Sequence, residues 1–305
     1  MRCGTVAIFG RPNVGKSTLL NRYLGQKIAI VSPKPETTRQ QLLGILTLPE
    51  AQVLFLDTPG IYNGPKTLLA KHQIQAARDA LGQADFFLML TDATAGFTDD
   101  DRQLLRLLPK PVAGEKPAAF LGINKVDRVR KDRLLPQIAE AQKSYPFRKI
   151  VPISAFKGDN TQPLLDLLIA SLPEGPAAYP PDQVTDASMR VLAQELIREK
   201  ALLFTHEEIP HSVAVLVEEW RPGTASPRQK PDQSSSTYIR ANIYLERDSQ
   251  KGILIGKDGA ILKRIGQEAR REIEKLLDGP VYLDLWVKIA KNWRKDSKFL
   301  KEIGF

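Results

Sequence analysis

The sequence predicts an α/β protein: a domain with a mostly parallel sheet and helices on both faces, followed by a smaller α+β module. Three observations predict it. Short, nearly all-apolar runs alternate with amphipathic segments up to about residue 172, which is how strands buried on both faces read. The stretch SLPEGPAAYPPDQVTD at 171–186, with prolines at 173, 176, 180 and 181, breaks that alternation. Beyond it the order changes to helix, two strands, a helix pair and a strand.

TVAIFG (5–10) is the first strand and STLLNRYLG (17–25) the helix after it. QQLLGILTLP (40–49) reads as an edge strand antiparallel to AQVLFLD (51–57), because the joint is too short for a crossover. Further strands are ADFFLMLTD (84–92), PAAFLGIN (117–124) and IVPISA (150–155). Helices are expected at 67–82, 100–109, 131–145 and 161–172, with Asp99, Asp100 and Asp101 at a helix start where carboxylates suit the dipole. The expected domains are 1–172 and 184–305, joined by a linker at 173–183. The second holds a helix at 186–205, strands HSVAVLVEEW (211–220) and STYIRANIYLER (236–247), a helix pair at 252–277, strand PVYLDLWVKIAK (280–291) and a final basic helix. Between its first two strands, the polar and proline-rich 222–236 region reads as a long mobile hairpin loop.

The 305 residues carry a formal charge of +9, which favours polyanionic partners and also fits an anionic membrane surface. Cys3 is the single cysteine, so no intrachain disulfide forms and a reducing cytosol is the simplest home. The longest apolar run, 84–93, is far too short to span a bilayer. The expected location is cytoplasmic, with peripheral contact at the inner face of the cell membrane left open.

GRPNVGKS at 10–17 fits G-x-x-x-x-G-K-S between a strand and a helix. Backbone N–H groups along Gly10, Arg11, Pro12, Asn13, Val14, Gly15, Lys16, Ser17 and Thr18 would cradle phosphates at a helix N-terminus, Pro12 excepted as a donor. Lys16 supplies a charge to the β- and γ-phosphates, and the Ser17 hydroxyl binds Mg2+. DTPGI at 57–61 follows a strand. Asp57 would hold the metal through water, the Gly60 amide would meet the γ-phosphate, and Thr58, Pro59 and Ile61 complete the segment. Ile61 stands where signalling GTPases place a water-orienting glutamine, and it can neither donate nor accept a hydrogen bond. Thr38 is the expected magnesium-binding threonine, with Thr37 as the alternative. Asn124, Lys125, Val126 and Asp127 form NKVD after another strand; Asp127 can accept two hydrogen bonds from guanine, which adenine cannot supply. Ser154 and Ala155 would support the base.

These segments resemble the translation-factor-like GTPases, and within them GRPNVGKSTLLNRYLGQKIAIVSPKPETTR with DTPGIY resembles the Era family. The resemblance implies a P-loop GTPase domain. That class includes members with a hydrophobic residue after DTPG, as at Ile61. Glu36 departs from the glutamine more usual before TTR. Asparagine at position 13 resembles GTPases that use K+ beside the α- and γ-phosphates, so Asn13, Lys16, Thr38 and Gly60 are the expected catalytic residues. Arg11 or Arg39 in cis, or an arginine from a partner, is the alternative source of positive charge.

ILIGKDGAIL at 253–262 carries G-x-x-G as Gly256, Lys257, Asp258 and Gly259. With the apolar run before it and a basic helix after it, this resembles a KH domain of the prokaryotic, helix-first type, whose loop clamps about four single-stranded nucleotides. Lys263 and Arg264 are the further expected RNA contacts. Residues 173–305 hold 21 Lys+Arg against 20 Asp+Glu, whereas 251–271 hold six against two. The basic excess is therefore local to the proposed RNA face. Trp220, Trp286 and Trp293 are read as core anchors. His72, His206 and His211 lack metal-ligand spacing.

The resemblance covers nearly the whole chain. It implies a protein that assists assembly of the small ribosomal subunit by binding small-subunit ribosomal RNA near its 3′ end; the expected enzyme hydrolyses GTP to GDP and phosphate at a slow intrinsic rate, and a monomer is expected. Two alternatives stay open: a constitutive RNA-binding protein with a very weak GTPase, and a membrane-associated regulatory GTPase.

Overall fold

The computed structural model describes residues 1–32, 41–60, 68–109, 118–206, 209–222 and 236–303. The chain divides into two compact units, the first made mainly of residues up to Asp186 and the second mainly of Ala187–Phe305.

The first unit is a six-stranded sheet built from β1 (Arg2–Gly10), β2 (Leu42–Leu48), β3 (Ala51–Asp57), β4 (Phe86–Asp92), β5 (Ala119–Asn124) and β6 (Lys149–Pro152), in the order β2-β3-β1-β4-β5-β6. β1 pairs in parallel with β3 and β4, and β2 runs antiparallel at the edge as the short 48–51 joint requires. Val6, Ala7, Ile8 and Phe9 are fully buried, which explains an unbroken apolar run where alternation would leave one face wet. The helices of this unit are α1 (Lys16–Leu24), α2 (Leu68–Gly82), α3 (Asp99–Leu104), α4 (Leu134–Ser144) and α5 (Thr161–Ile169). Thr98 caps α3, and its hydroxyl and the Asp101 carboxylate form a reciprocal capping box.

The proline-rich segment after α5 is fastened to this unit. Cys3 N–H donates to Pro173 O at 3.0 Å, and Ile45 N–H to Val184 O at 2.8 Å. The buried Gln52 carboxamide accepts from the amides of Ala178 and Tyr179 and donates to Tyr179 O.

The second unit holds α6 (Met189–Phe204), a short α7 (Ile209–Ser212), β7 (Ala214–Arg221), β8 (Thr237–Leu245), α8 (Asp248–Ile255), α9 (Ala260–Leu277), β9 (Val281–Ile289) and α10 (Ser297–Glu302). β8 is central, antiparallel to β7 and parallel to β9. Alternation governs this sheet. Ile239, Ala241, Ile243 and Leu245 are fully buried against Ala193, Ile197 and Ala201 of α6 and Ile265, Ala269 and Ile273 of α9. At about 1.5–3 kcal/mol for each buried aliphatic side chain, this layer is the main force holding the unit together. Trp293 is buried as expected of a core anchor, its Nε1 donating to Ser212 O at 2.9 Å. Trp286 is not: it is 55% exposed, because it shares the outer sheet face with Asp284 and Lys288. Residues 223–235, expected as a hairpin loop, lie outside the described residues.

Candidate nucleotide site and nucleic-acid groove

In the first unit, the four expected nucleotide segments all follow carboxyl ends of strands β1, β3, β5 and β6, where the strand order reverses about β1. Open α/β sheets bind ligands at this crevice. The backbone enters the phosphate loop through Gly10, whose φ is 149°, and leaves it through Gly15 at φ 103°. A Cβ on Gly10 would lie 2.4 Å from Leu90 O, and one on Gly15 would lie 2.2 Å from Asn124 Nδ2. Both positions therefore require glycine, for backbone angle and for space. Asn13, at the exposed tip, is itself left-handed at φ 62°.

Lys16 is buried and donates to Gly10 O at 3.1 Å and Arg11 O at 3.0 Å. Burial lowers its pKa to about 8, with the nearby Asp57 charge working in the opposite direction. Incoming phosphates would restore the full charge. Ser17 Oγ donates to Asp57 Oδ2 at 2.9 Å, and Asp57 is fully buried. Two hard oxygen donors thus converge beside the phosphate loop, a donor set that fits Mg2+ with the remaining positions left to phosphate and water. Thr58 points the other way, its N–H and hydroxyl both bonding Ile8 O, and so pins the strand end. Gly60 packs on Pro12: a Cβ there would approach Pro12 Cα to 2.8 Å.

The base end is a closed circuit. Asn124 Nδ2 donates to Val14 O at 2.7 Å and Oδ1 accepts from Ala155 N–H at 2.8 Å, tying the phosphate loop to the last loop. Ser154 Oγ donates to Asp127 Oδ1 at 2.6 Å. Lys125, left-handed at φ 66°, reaches Asp92 Oδ2 at 2.6 Å. Partial burial would raise the Asp92 pKa, but hydrogen bonds from Lys125 and Thr94 outweigh it and hold the carboxyl below its ordinary value.

In the second unit, Gly256 (φ 73°) and Gly259 (φ 76°) bracket the left-handed Asp258 (φ 51°) between α8 and α9. A Cβ on Gly256 would strike Ile261 at 2.7 Å, whereas one on Gly259 would meet open space. A groove of about 500 Å³ runs from Gly259 along α9, past Lys263, Gly266, Gln267 and Arg270, with Tyr282, Leu283 and Leu285 of β9 opposite. Gly266 lies on its wall, where a Cβ would sit in ordinary contact with Leu285 Cδ1 at 3.4 Å. An apolar floor with a basic rim suits unstacked bases and a phosphate backbone.

The family described as 50S ribosome-binding GTPase matches residues 5–125, and the KH domain family matches 208–294. GTPase Era of Geobacter metallireducens is 44% identical over 304 residues, covering 100% of this chain and 98% of that protein. The chain belongs to the Era family. GTPase Era of Geotalea uraniireducens is 45% identical over the same shares. Among solved structures, Era in complex with MgGDPNP and nucleotides 1506–1542 of 16S ribosomal RNA superposes with a TM-score of 0.92 at 42% identity, covering 100% of this chain and 99% of that one. A variant of Aquifex aeolicus Era bound to GDP and AlF4− does so equally. The protein is a GTPase with the Era architecture, a P-loop domain followed by a KH domain. Among its described residues, no helix is long and apolar enough to cross a membrane.

Against this Era framework, Thr37, Thr38, Arg39 and Ile61 lie outside the described residues. Arg11 is held by Asp101, Nε to Oδ1 at 2.8 Å, and Asp101 is fully buried, so its guanidinium braces the phosphate loop against α3. Lys263 lines the groove. Arg264 does not: it sits one residue, about 100°, further round α9, with its guanidinium 4.2 Å from the Phe204 ring. Arg22 joins the site from outside the sequence motifs. From α1 it donates through Nε to Ala155 O and through Nη2 to Phe156 O, both at 2.5 Å, holding the base loop. Its partners are 133 and 134 residues away, and no local pattern announces such a contact.

Proposed function

We propose that this GTPase binds small-subunit ribosomal RNA near its 3′ end through the α9–β9 groove and acts in assembly of the small ribosomal subunit. The observation that carries the reading is the pairing, in one Era-family chain, of the phosphate cradle with a GxxG loop that opens directly onto a groove with a basic rim. The related Era structure with MgGDPNP and nucleotides 1506–1542 of 16S ribosomal RNA supports it. The chain is read as a cytoplasmic monomer, with 173–183 joining the nucleotide module to the RNA module. The test is crosslinking in cells followed by mapping. Crosslinks concentrated at the 3′ end of small-subunit RNA are expected, and a diffuse distribution over cellular RNA would reject the assignment.

In the nucleotide site, Lys16 is assigned to the β- and γ-phosphates, and Ser17, Asp57 and Thr38 to Mg2+. Bound magnesium neutralises charge that develops on the phosphate oxygens. Asp127 reads the guanine edge. Asn124 holds the loops that frame it and retains a second N–H for the purine. The Gly60 amide faces the γ-phosphate. Asn13 is assigned to K+, since Ile61 cannot orient water and Arg11 is committed to Asp101. The expected result is faster hydrolysis in potassium than in sodium at equal ionic strength, a difference that Asn13→Ala removes. Equal rates with saturating GTP and RNA present would turn the search to an arginine supplied by a partner.

A further inference from the structure

Apart from Tyr282 at its edge, the outer face of the KH sheet is used by neither the GTPase reading nor the GxxG groove. Tyr238, Arg240, Asn242 and Tyr244 of β8 lie there, in register with Tyr282, Asp284, Trp286 and Lys288 of β9. Tyr282 is 49% exposed and Trp286 is 55% exposed. Isolated exposed aromatics and cross-strand pairs are ordinary features of sheets. This pair differs in three ways.

First, the rings are held in place. Tyr282 stacks on Tyr238 with centroids 5.7 Å apart and planes at 15°, and the Arg221 guanidinium lies 5.2 Å from the Tyr238 ring. Asp284 accepts from the Tyr238 hydroxyl at 3.1 Å and from Arg240 at 3.2 Å. Partial burial would raise the Asp284 pKa, yet hydrogen bonds from Trp286, Tyr238 and Arg240 prevail and keep its carboxyl below the ordinary value. Second, Asn242, opposite Trp286, is fully buried, and its Nδ2 donates to Glu218 and, at 3.2 Å, to the Tyr244 hydroxyl, so the polar group beside Trp286 is already engaged and the ring is what the face presents there. Third, Tyr282 also lines the groove, so the groove and the outer face meet round the edge strand β9.

We propose that the outer face of the KH sheet, with Trp286 and the Tyr238–Tyr282 stack, is a stacking platform for nucleotides that leave the GxxG groove round β9. The proposal rests on the RNA reading above. Each cation on the face is matched by a carboxylate: Arg221 by Glu219, Arg240 by Asp284, Lys288 by Glu218. The face therefore offers π-surfaces instead of net charge. Stacking is the sequence-tolerant way to hold single strands. Tyr282 and Trp286 sit four residues apart on one strand, roughly 13 Å, which is room for more than one base between and upon the rings.

The test uses the full chain and nested truncations of an RNA carrying small-subunit nucleotides 1506–1542, the segment bound in the Era relative. The shortest fragment whose binding is lost in Gly256→Asp/Gly259→Asp defines the groove. Trp286→Ala is expected to bind that fragment like the wild type and to lose about tenfold or more on fragments extended beyond it, the order of one base–aromatic stack. Trp286→Phe, which keeps a ring, should recover most of the loss. Unchanged thermal melting checks the fold. If no fragment binds the wild type, the RNA reading itself fails. If fragments bind and Trp286→Ala shows the wild-type length dependence, the platform is refuted and the face is left to a protein partner. An equal loss on the shortest fragment also refutes it, since Trp286 would then act through the groove.

Discussion

Asp127→Asn is expected to lower GTP affinity about 10³-fold and to create binding of xanthosine triphosphate. On the proposed reading the carboxylate would accept from two donors on the guanine edge, and hydrogen bonds to a charged group contribute about 1.5–3 kcal/mol each. Their loss, near 4 kcal/mol together, corresponds to that factor. An amide in the same place presents a donor toward the carbonyl that xanthine carries where guanine has its amino group. The surrounding frame survives the change. Ser154 Oγ, 2.6 Å from Asp127 Oδ1, can donate to an amide oxygen as it does to the carboxylate. Asn124 keeps its links to Val14 and Ala155, so the phosphate loop is undisturbed. Equilibrium binding of both nucleotides checks the result. Undiminished GTP affinity, or an equal fall for both nucleotides, would show that the base is read elsewhere.

The candidate nucleotide site is legible in the sequence because its motifs are tied to strand ends. A glycine-lysine-serine turn, a strand-terminal aspartate and NKVD each need a particular backbone place, and the apolar runs mark those places. The β2 edge strand was legible from the length of one joint. What the sequence hid were contacts between distant segments. Arg22 and Asn124 hold the base loop from 133 and 31 residues away. Helix faces were harder than helix existence: Lys263 and Arg264 are neighbours in sequence, yet one lines the groove and the other stacks on Phe204. Trp286 lies on the outer face, as strand register requires. In YLDLWVKI the leucines, valine and isoleucine alternate with tyrosine, aspartate, tryptophan and lysine, so period-two counting puts Trp286 with the polar residues.

Gly256→Asp with Gly259→Asp should abolish RNA binding, by more than about 10³-fold, and leave GTP binding unchanged. Two effects combine. Each new carboxylate would face the phosphate backbone that a GxxG loop approaches closely. Gly256 also holds φ 73° with ψ 174°, a region essentially confined to glycine, and a Cβ there meets Ile261 at 2.7 Å. The double variant therefore distorts the loop as well as charging it. Gly259→Asp alone separates the two. Its position is left-handed, which aspartate tolerates better than most residues, and its Cβ enters open space. This single variant should fold normally and still lose roughly a hundredfold through charge alone. Salt gives an independent reading. With four phosphates held, the logarithm of wild-type affinity should fall against the logarithm of salt with a slope of about −3, at roughly −0.7 per contact on a single strand. The residual binding of Gly259→Asp should show a shallower slope. If the double variant binds the same RNA as tightly as the wild type, the loop is a turn between two helices and the RNA lies elsewhere. A hundredfold loss with the wild-type slope would place the fault in loop shape instead of phosphate contact.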